Sequence, residues 1–123
     1  MVSKNRLNSK LSKIADRLDF CCFYDTEREI LDRLPSSKAY DSYEVAQMME
    51  EISLSAMIFN HHEGRLGNLR HIIGNFDNLC IGAFAIHDKV LLIIGIDKKK
   101  LSNNESDFIL REISRIVSNE QNS

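Results

Sequence analysis

The stretch that decides the fold occupies residues 79–97 and reads LCIGAFAIHDKVLLIIGID. Two apolar runs flank a short polar break, and their isoleucine and valine residues favour β-strands. This pattern predicts a β-hairpin whose turn is centred on either His87–Asp88 or Asp88–Lys89. Apolar side chains occupy both odd and even positions, so both faces of the hairpin need cover. The stretch therefore predicts a central hairpin in a sheet that has helices on both sides.

Composition and charge limit the class of protein. The chain has 123 residues, of which 43% are hydrophobic and 28% charged, and this fits one globular domain over residues 1–123. The formal net charge of -2 argues against non-specific binding to nucleic acid, which needs a strongly basic face. No apolar run approaches the ~20 residues of a membrane-spanning helix, and residues 1–13 lack the apolar core of a secretory signal. We therefore expect a cytoplasmic protein with no nucleic-acid or membrane partner.

Helical spacing of apolar residues predicts a short amphipathic first helix that ends near Asp19. Its buried face is formed by Leu7, Leu11, Ile14, Ala15 and Leu18. The apolar run at residues 20–24 predicts the first strand, and residues 30–34 predict a second strand that Pro35 stops. A helix over residues 27–34 is the alternative, because glutamate, arginine and leucine favour helices. We prefer the strand because a short connection back onto the first strand makes a hairpin.

A long central helix is predicted after residue 40. Asp41 is the expected N-cap, because Glu44 follows three residues later as in a capping box. The helix extends to about Leu66, where Gly67 is a C-terminal stop, unless Gly64 ends it earlier.

The C-terminal half adds one strand, the central hairpin and a final helix. Residues 69–73 predict the third strand, and residues 74–78 predict the turn that follows it. Ser102 and Glu105 form a second capping-box pattern, which predicts the start of the last helix. The apolar stripe of this helix is Ile109, Ile113, Ile116 and Val117, before a polar tail that begins at Asn119. The terminal helices on one face of the sheet and the long helix on the other would supply the cover that the hairpin needs.

The long central helix carries two apolar stripes at helical spacing. The core stripe is formed by Val45, Met48, Met49, Ile52, Ala56 and Phe59. Leu54, Met57 and Ile58 lie on the other side, and His61 continues their spacing. A helix that covers a sheet needs only one apolar stripe, so the second stripe predicts a protein interface. A loop at residues 36–40 or a terminus folded over this stripe, and a ligand groove beside the helix, are the alternatives.

The order of elements, the long central helix and the strand pair before the last helix resemble the roadblock/LC7 domain. Residues 41–67 and 69–117 carry the resemblance most strongly, and residues 20–34 carry it more weakly. The run EGRLGNLRHII at residues 63–73 also resembles uncharacterised short archaeal proteins of roadblock-like pattern. The resemblance implies an α+β fold of roadblock/profilin-like type. In that fold a five-stranded antiparallel sheet is sandwiched between one long central helix and two terminal helices.

Roadblock-like domains usually dimerise through the long helix and the third strand, and they serve as platforms or regulators for small GTPases or as adaptors. The resemblance therefore implies a homodimer, a small GTPase or another adaptor protein as partner, and no catalytic residue. The candidate interface residues are Leu54, Met57, Ile58, His61, Leu69, His71 and Ile73. The last three are expected to alternate onto one face of the edge strand. Residues 25–29 lack the glycine common in the family's first hairpin, so that turn must differ.

The residues that could carry catalysis form no recognisable constellation. The metal-like cluster consists of His61, His62, Glu63 and His71. Adjacent histidines on a helix point about 100° apart, and the His-Glu-x-x-His spacing is absent. Cys21 and Cys22 would face opposite ways on a strand, and all three cysteines are expected to be buried thiols. We predict a non-enzymatic protein without metal or cofactor. The alternatives are a small-molecule sensor, with a ligand between helix and sheet, and an enzyme that uses His61, His62 or Cys22.

Overall fold

The computed structural model describes residues 4–25, 27, 30–33, 47–48, 50–52, 54–55, 63–87 and 90–121. In chain order, the elements are helix α1 (Lys4–Leu11), a 3₁₀ turn (Ala15–Arg17), strands β1 (Phe20–Asp25) and β2 (Ile30–Arg33), helix α2 (Glu63–Leu66), strands β3 (His71–Asn75), β4 (Leu79–His87) and β5 (Val90–Asp97), and helix α3 (Asn103–Gln121). Residues 47–48, 50–52 and 54–55 are also helical, and we refer to them as the central helical segment.

The strands form one five-stranded sheet in the order β2-β1-β5-β4-β3, and every neighbouring pair is antiparallel. The predicted α+β class and the predicted antiparallel sheet are confirmed. The second strand is a strand and not the alternative helix, because Ile30 pairs with Asp25 and Arg33 pairs with Cys22. The Asp25 carboxylate Oδ1 accepts a hydrogen bond of 3.0 Å from the backbone N–H of Glu27. A hydrogen bond from the backbone two residues further on is the pattern of an Asx turn.

The register of the central hairpin resolves the two alternatives for its turn. His87 pairs with Val90, which excludes the alternative that has His87 in the central pair; residues 88–89 lie outside the described residues. The register shifts between Ala85 and His87, as it does where a β-bulge inserts an extra residue.

Each face of the hairpin belongs to a different hydrophobic core, as its lack of alternation predicts. The β4 and β5 side chains in the core with α1 and α3 are Cys80, Phe84, Ile86, Leu92, Ile94 and Ile96. Those in the core on the other face are Ile81, Ala83, Leu91 and Ile93, and Met48 and Ile52 of the central helical segment pack against them. Fully burying one such aliphatic or aromatic side chain stabilises the fold by about 1.5–3 kcal/mol. The placement of the terminal helices on one face and the central helix on the other is confirmed for the described residues.

The first helix is shorter than its apolar spacing predicts. It ends at Leu11, and the prediction of a helix to Asp19 is wrong. The Ser12 hydroxyl donates to the Ser9 carbonyl at 2.8 Å, and the N–H of Ile14 donates to the Leu11 carbonyl at 3.0 Å. These tight turns bring Asp19 beside β5, where its N–H donates to the Gly95 carbonyl at 2.7 Å. The chain must enter β1 at that point, so tertiary pairing overrides the local helical spacing.

The third strand lies two residues further along the chain than predicted. It covers His71–Asn75, so Gly74 and Asn75 belong to the strand and not to the following turn. Asn75 pairs with Cys80, and the N–H of Phe76 donates to the Leu79 carbonyl at 2.9 Å. The position of β4 therefore sets the end of β3.

Two predicted helix boundaries are confirmed by their geometry. Gly67 follows the end of α2 with φ of 83°, the left-handed conformation that a C-terminal glycine supplies. At the start of α3, the N–H of Glu105 donates to the Ser102 hydroxyl and the N–H of Ser102 donates to the Glu105 carboxylate, both at 3.2 Å. The helix continues to Gln121, beyond the expected start of the tail. The predicted cap at Asp41 and Glu44 lies outside the described residues. No helix in the described part of the chain is long and apolar enough to cross a membrane.

Candidate interaction surface

Strand β3 forms one edge of the sheet, and within the described chain no other strand pairs with its outer side. Its side chains alternate between exposed and half-buried, and Ile73 is 43% exposed. Ile73 pairs with Gly82 of β4, against which the Leu110 side chain of α3 packs. The helical cover thus reaches β4, while Ile73 remains accessible on β3. An edge strand with free backbone groups and an apolar side chain is a template for pairing with another chain.

The histidine of β3 lies beside the core. His71 is exposed overall, and its ring centroid lies 5.7 Å from that of Phe84 with an interplanar angle of 40°. His71 pairs with Phe84 across the β3–β4 ladder, so the two rings share one face of the sheet. The predicted sharing of one face by His71 and Ile73 is confirmed by the register.

Leu69 does not share that face. It precedes β3, is half-buried, and packs against the hydrophobic core on the side of the central helical segment. The expected alternation fails because the strand starts at His71, so the period of two does not extend back to Leu69. The backbone at Arg70 still accepts a hydrogen bond of 2.9 Å from the N–H of Ala85.

The central helical segment has a buried and an exposed side. Met48 and Ile52 are half-buried against the sheet, whereas Leu54 is 58% exposed. Leu54 is two residues beyond Ile52, about 200° around a helix, which places it on the opposite side. The predicted separation of Leu54 from the core stripe is therefore confirmed. The other members of the second stripe, Met57, Ile58 and His61, lie outside the described residues, as do Val45, Met49, Ala56 and Phe59 of the core stripe.

Two further exposed apolar residues lie close to β3 along the chain, and the sequence analysis does not include them among the candidate interface residues. Leu66 is 66% exposed at the end of α2, and Phe76 is 58% exposed just after β3. The Phe76 ring occupies the space that a Cβ atom would take at Gly74, with its Cε2 atom 2.9 Å from that position. The sequence does contain a signal for this contact, because an aromatic residue follows two positions after a glycine in the predicted turn. Aromatic rings often cover glycines at sheet edges.

The cysteines are poorly suited to nucleophilic chemistry. Cys21, Cys22 and Cys80 are all buried, as expected, and Cys21 and Cys22 belong to opposite cores. Burial raises the pKa of the Cys21 thiol, and the neighbouring Cys22 raises it further. Burial also raises the pKa of Cys80, opposed in part by Lys98. Thiols with raised pKa values stay protonated at neutral pH, and the protonated form is a weak nucleophile.

The histidine cluster and the ligand groove remain predictions. His61 and His62 lie outside the described residues. Among the residues that are described, no three histidine, cysteine or carboxylate side chains are grouped so that they could hold a metal ion. The ligand groove expected by the sensor alternative would lie beside the central helical segment, where Met48 and Ile52 pack against the sheet.

Comparison with solved structures identifies the class of fold. The chain superposes on the gliding protein MglB from Thermus thermophilus with a TM-score of 0.64 and 8% sequence identity, over 94% of this chain and 88% of that chain. It superposes on a roadblock/LC7 domain from Streptomyces avermitilis with a TM-score of 0.58 and 12% identity, over 89% and 90% of the two chains. Myxococcus xanthus MglB gives a TM-score of 0.60 and 11% identity, over 97% and 91%.

The protein is thus an α+β sandwich of the kind that these structures share. More specifically, its fold is that of the roadblock/LC7 domain, as the resemblance in the sequence predicts. No protein-family model matches the sequence, and no curated protein matches it either.

Proposed function

We propose that the chain is a non-enzymatic, homodimeric interaction module that regulates a small GTPase, with residues 1–123 acting as one domain. The observation that carries the proposal is the distribution of exposed apolar residues. Among the described residues, the exposed large hydrophobic side chains are Leu54, Leu66, Ile73, Phe76 and Phe108. Four of these five come from residues 54–76, which include the edge strand and part of the central helical segment. The link to a GTPase rests on the roadblock fold.

The proposed dimer pairs β3 with the β3 strand of a second copy about a two-fold axis. Such a contact is self-complementary, because each copy presents the same edge strand and the same exposed apolar residues. Antiparallel pairing would satisfy the outer backbone groups of the strand. Leu54, Met57, Ile58 and His61 would meet their counterparts in the helical layer.

The exposed side chains are sufficient in size to support association. Fully burying an exposed leucine, isoleucine or phenylalanine contributes about 1.5–3 kcal/mol, and these four side chains are 43–66% exposed, so together they contribute on the order of 5 kcal/mol in each copy. Association costs about 4–15 kcal/mol in lost translational and rotational freedom. Summed over the two copies, the apolar contribution is of the same order as that cost. One related structure is described as MglB with a tetrameric arrangement, which lends support to self-association in this fold.

Light scattering on the purified protein tests the dimer. We expect the wild type to have the mass of a dimer and Leu54→Glu to be a folded monomer, because Leu54 is exposed and its replacement leaves the core intact. Ile73→Glu should have the same effect through the edge strand. Phe108→Glu is the matched control, since Phe108 is 53% exposed but lies on α3. A monomeric wild type, or dissociation by all three substitutions, would contradict the proposed interface.

A second experiment tests the GTPase partner. The protein is immobilised and incubated with a cell extract of its own organism. GDP is added to one portion of the extract, and a non-hydrolysable GTP analogue is added to the other. We expect a small GTPase to be retained in one nucleotide state and lost in the other. Failure to retain any GTPase in a nucleotide-dependent way would leave a dimeric adaptor and remove the regulatory role.

A further inference from the structure

A second surface lies in the layer of α1 and α3, on the other side of the sheet from the central helical segment. A groove of about 360 Å³ separates the end of α1 from the C-terminal half of α3. One wall contributes Lys10, Lys13 and Ile14, and the other contributes Glu112, Arg115 and Ile116. The volume is at the lower end of the range of about 300–1,000 Å³ typical of ligand-binding clefts.

The groove combines an apolar base with a positively charged rim. Ile116 is buried and Ile14 is half-buried, whereas Lys13 and Arg115 are exposed. Lys10, Lys13 and Arg115 line the groove together with one carboxylate, that of Glu112, with which Arg115 is paired. The chain as a whole has a formal net charge of -2, so the positive rim is a local feature. Helix α1, KNRLNSKL, contains basic residues and no acidic residue, which adds to the positive potential on this side.

The carboxylate of the rim orients one of the cations. The Arg115 Nε donates to the Glu112 carboxylate at 3.3 Å, and a terminal nitrogen of the same guanidinium donates to the other carboxylate oxygen. This two-point contact restrains the planar guanidinium, which has five N–H donors in all. The same contact holds the pKa of the Glu112 carboxyl below its usual range, so the pair stays ionised at neutral pH. Arg115 is thus prepositioned at the rim and keeps donors for a further acceptor.

The face of α3 that lines the groove also carries an exposed aromatic ring, outside the groove itself. Phe108, Glu112, Arg115 and Asn119 are spaced i, i+4, i+7 and i+11, so they share one face of the helix, and all but Phe108 line the groove. Phe108 is 53% exposed and is the one large exposed hydrophobic of the described residues that lies outside residues 54–76. From Phe108 to Asn119 the helix rises about 16 Å, the length of about five residues of extended chain.

We infer that this groove binds a short acidic peptide segment of a partner protein, with its carboxylates at Lys13 and Arg115 and an apolar side chain against Phe108. The charge of the rim selects an anionic occupant, and the exposed ring selects one that also has an apolar anchor. An anionic membrane fits less well, because the site is concave and a flat lipid surface would not enter it. This inference does not depend on the proposed dimer.

Fluorescence anisotropy with labelled peptides tests the inference. The probes are ten-residue peptides that alternate glutamate with leucine or phenylalanine, and counterparts that carry lysine in place of glutamate. We expect the acidic probes to bind, the basic probes not to bind, and binding to weaken as salt is raised. Lys13→Glu combined with Arg115→Glu should weaken binding at least about tenfold, as should Phe108→Ala.

The matched control is Arg65→Glu combined with Lys99→Glu. It changes the net charge by the same amount at exposed positions outside the groove, so it should leave binding within about twofold of the wild type. All substituted side chains are exposed, and circular dichroism checks that each variant is folded. The inference is overturned if no acidic probe binds, if both double variants weaken binding equally, or if vesicles of phosphatidylserine and phosphatidylcholine bind through Lys13 and Arg115 in preference to the peptides.

Discussion

At the residue scale, the Phe20 ring packs directly over Gly95. The two residues are paired across β1 and β5, and the Phe20 ring occupies the space above the glycine. A Cβ atom at Gly95 would overlap this ring. Phe20 is 3% exposed and belongs to the core on the side of the central helical segment, so its ring has little room to move. The sequence identifies Gly95 as a glycine within a strand, but only the register shows which side chain covers it.

Gly95→Ala should therefore destabilise the protein. Overpacking of this kind costs about 1–3 kcal/mol in the free energy of unfolding, which urea denaturation monitored by circular dichroism measures. Gly64→Ala is the control, because nothing lies within 4 Å of a Cβ atom at that position and the residue is in helix α2. Alanine favours helix over glycine, so the control should be neutral or stabilising by up to about 1 kcal/mol. Equal losses for the two variants would show that the Phe20 contact is unimportant.

At the scale of the element, helix α3 is held at its start by a reciprocal cap. Hydrogen bonds with the Ser102 backbone and hydroxyl are the main cause that holds the pKa of the Glu105 carboxyl below its usual range. Arg17, which pairs with Glu105 at 3.3 Å, lowers this pKa further. A carboxyl whose pKa is lower in the folded state stabilises the fold at a pH above its unfolded value, about 4.3. This contribution is lost as the pH falls through the lower, folded value.

Glu105→Gln should reveal this pH dependence. We expect the variant to be less stable than the wild type by a constant amount near neutral pH, and the difference to shrink below about pH 4 as the wild-type carboxyl is protonated. Ser102→Ala removes the hydroxyl acceptor and should cost about 1 kcal/mol at neutral pH. Urea unfolding at a series of pH values measures both effects. A stability difference for Glu105→Gln that stays constant down to about pH 3, below the usual carboxyl range, would contradict the role of the charge.

The elements differ in how well their sequences predict them. The caps of α2 and α3 are visible in the sequence because Gly67 and the Ser102–Glu105 pair act on their own helix ends. The bounds of β3 are not visible, since pairing with β4 sets them. Contacts with distant parts of the chain also explain why α1 is shorter than predicted and why Leu69 does not share the face of His71 and Ile73.

At the scale of the whole molecule, the proposed dimer couples folding to association. A dimer that dissociates on unfolding gains stability with concentration, because mass action favours the folded, associated state. We expect the melting temperature of the wild type to rise by about 2–4 °C for each tenfold increase in protein concentration. Leu54→Glu should melt at a temperature independent of concentration, whereas Phe108→Glu should behave as the wild type does. Differential scanning calorimetry makes the comparison, and a concentration-independent wild type would point to a monomer.

The sequence by itself determined the features that depend on near neighbours along the chain. The central hairpin, the two buried faces of its strands, the last helix and its cap follow from periodicity and from residues three or four positions apart. The roadblock-like order of elements also follows from this local pattern, and with it the expectation that His71 and Ile73 face one way.

Only the tertiary structure decided which surfaces stay open. The order of the strands places β3 at an edge of the sheet. Helix α3 packs over β4 but leaves Ile73 of β3 exposed. The groove between α1 and α3 joins residues 10–14 to residues 112–119, which no local pattern relates. Helical and strand periods show which side chains are buried, because burial repeats with the backbone. They do not show which elements become neighbours, because that depends on contacts between residues far apart in the chain.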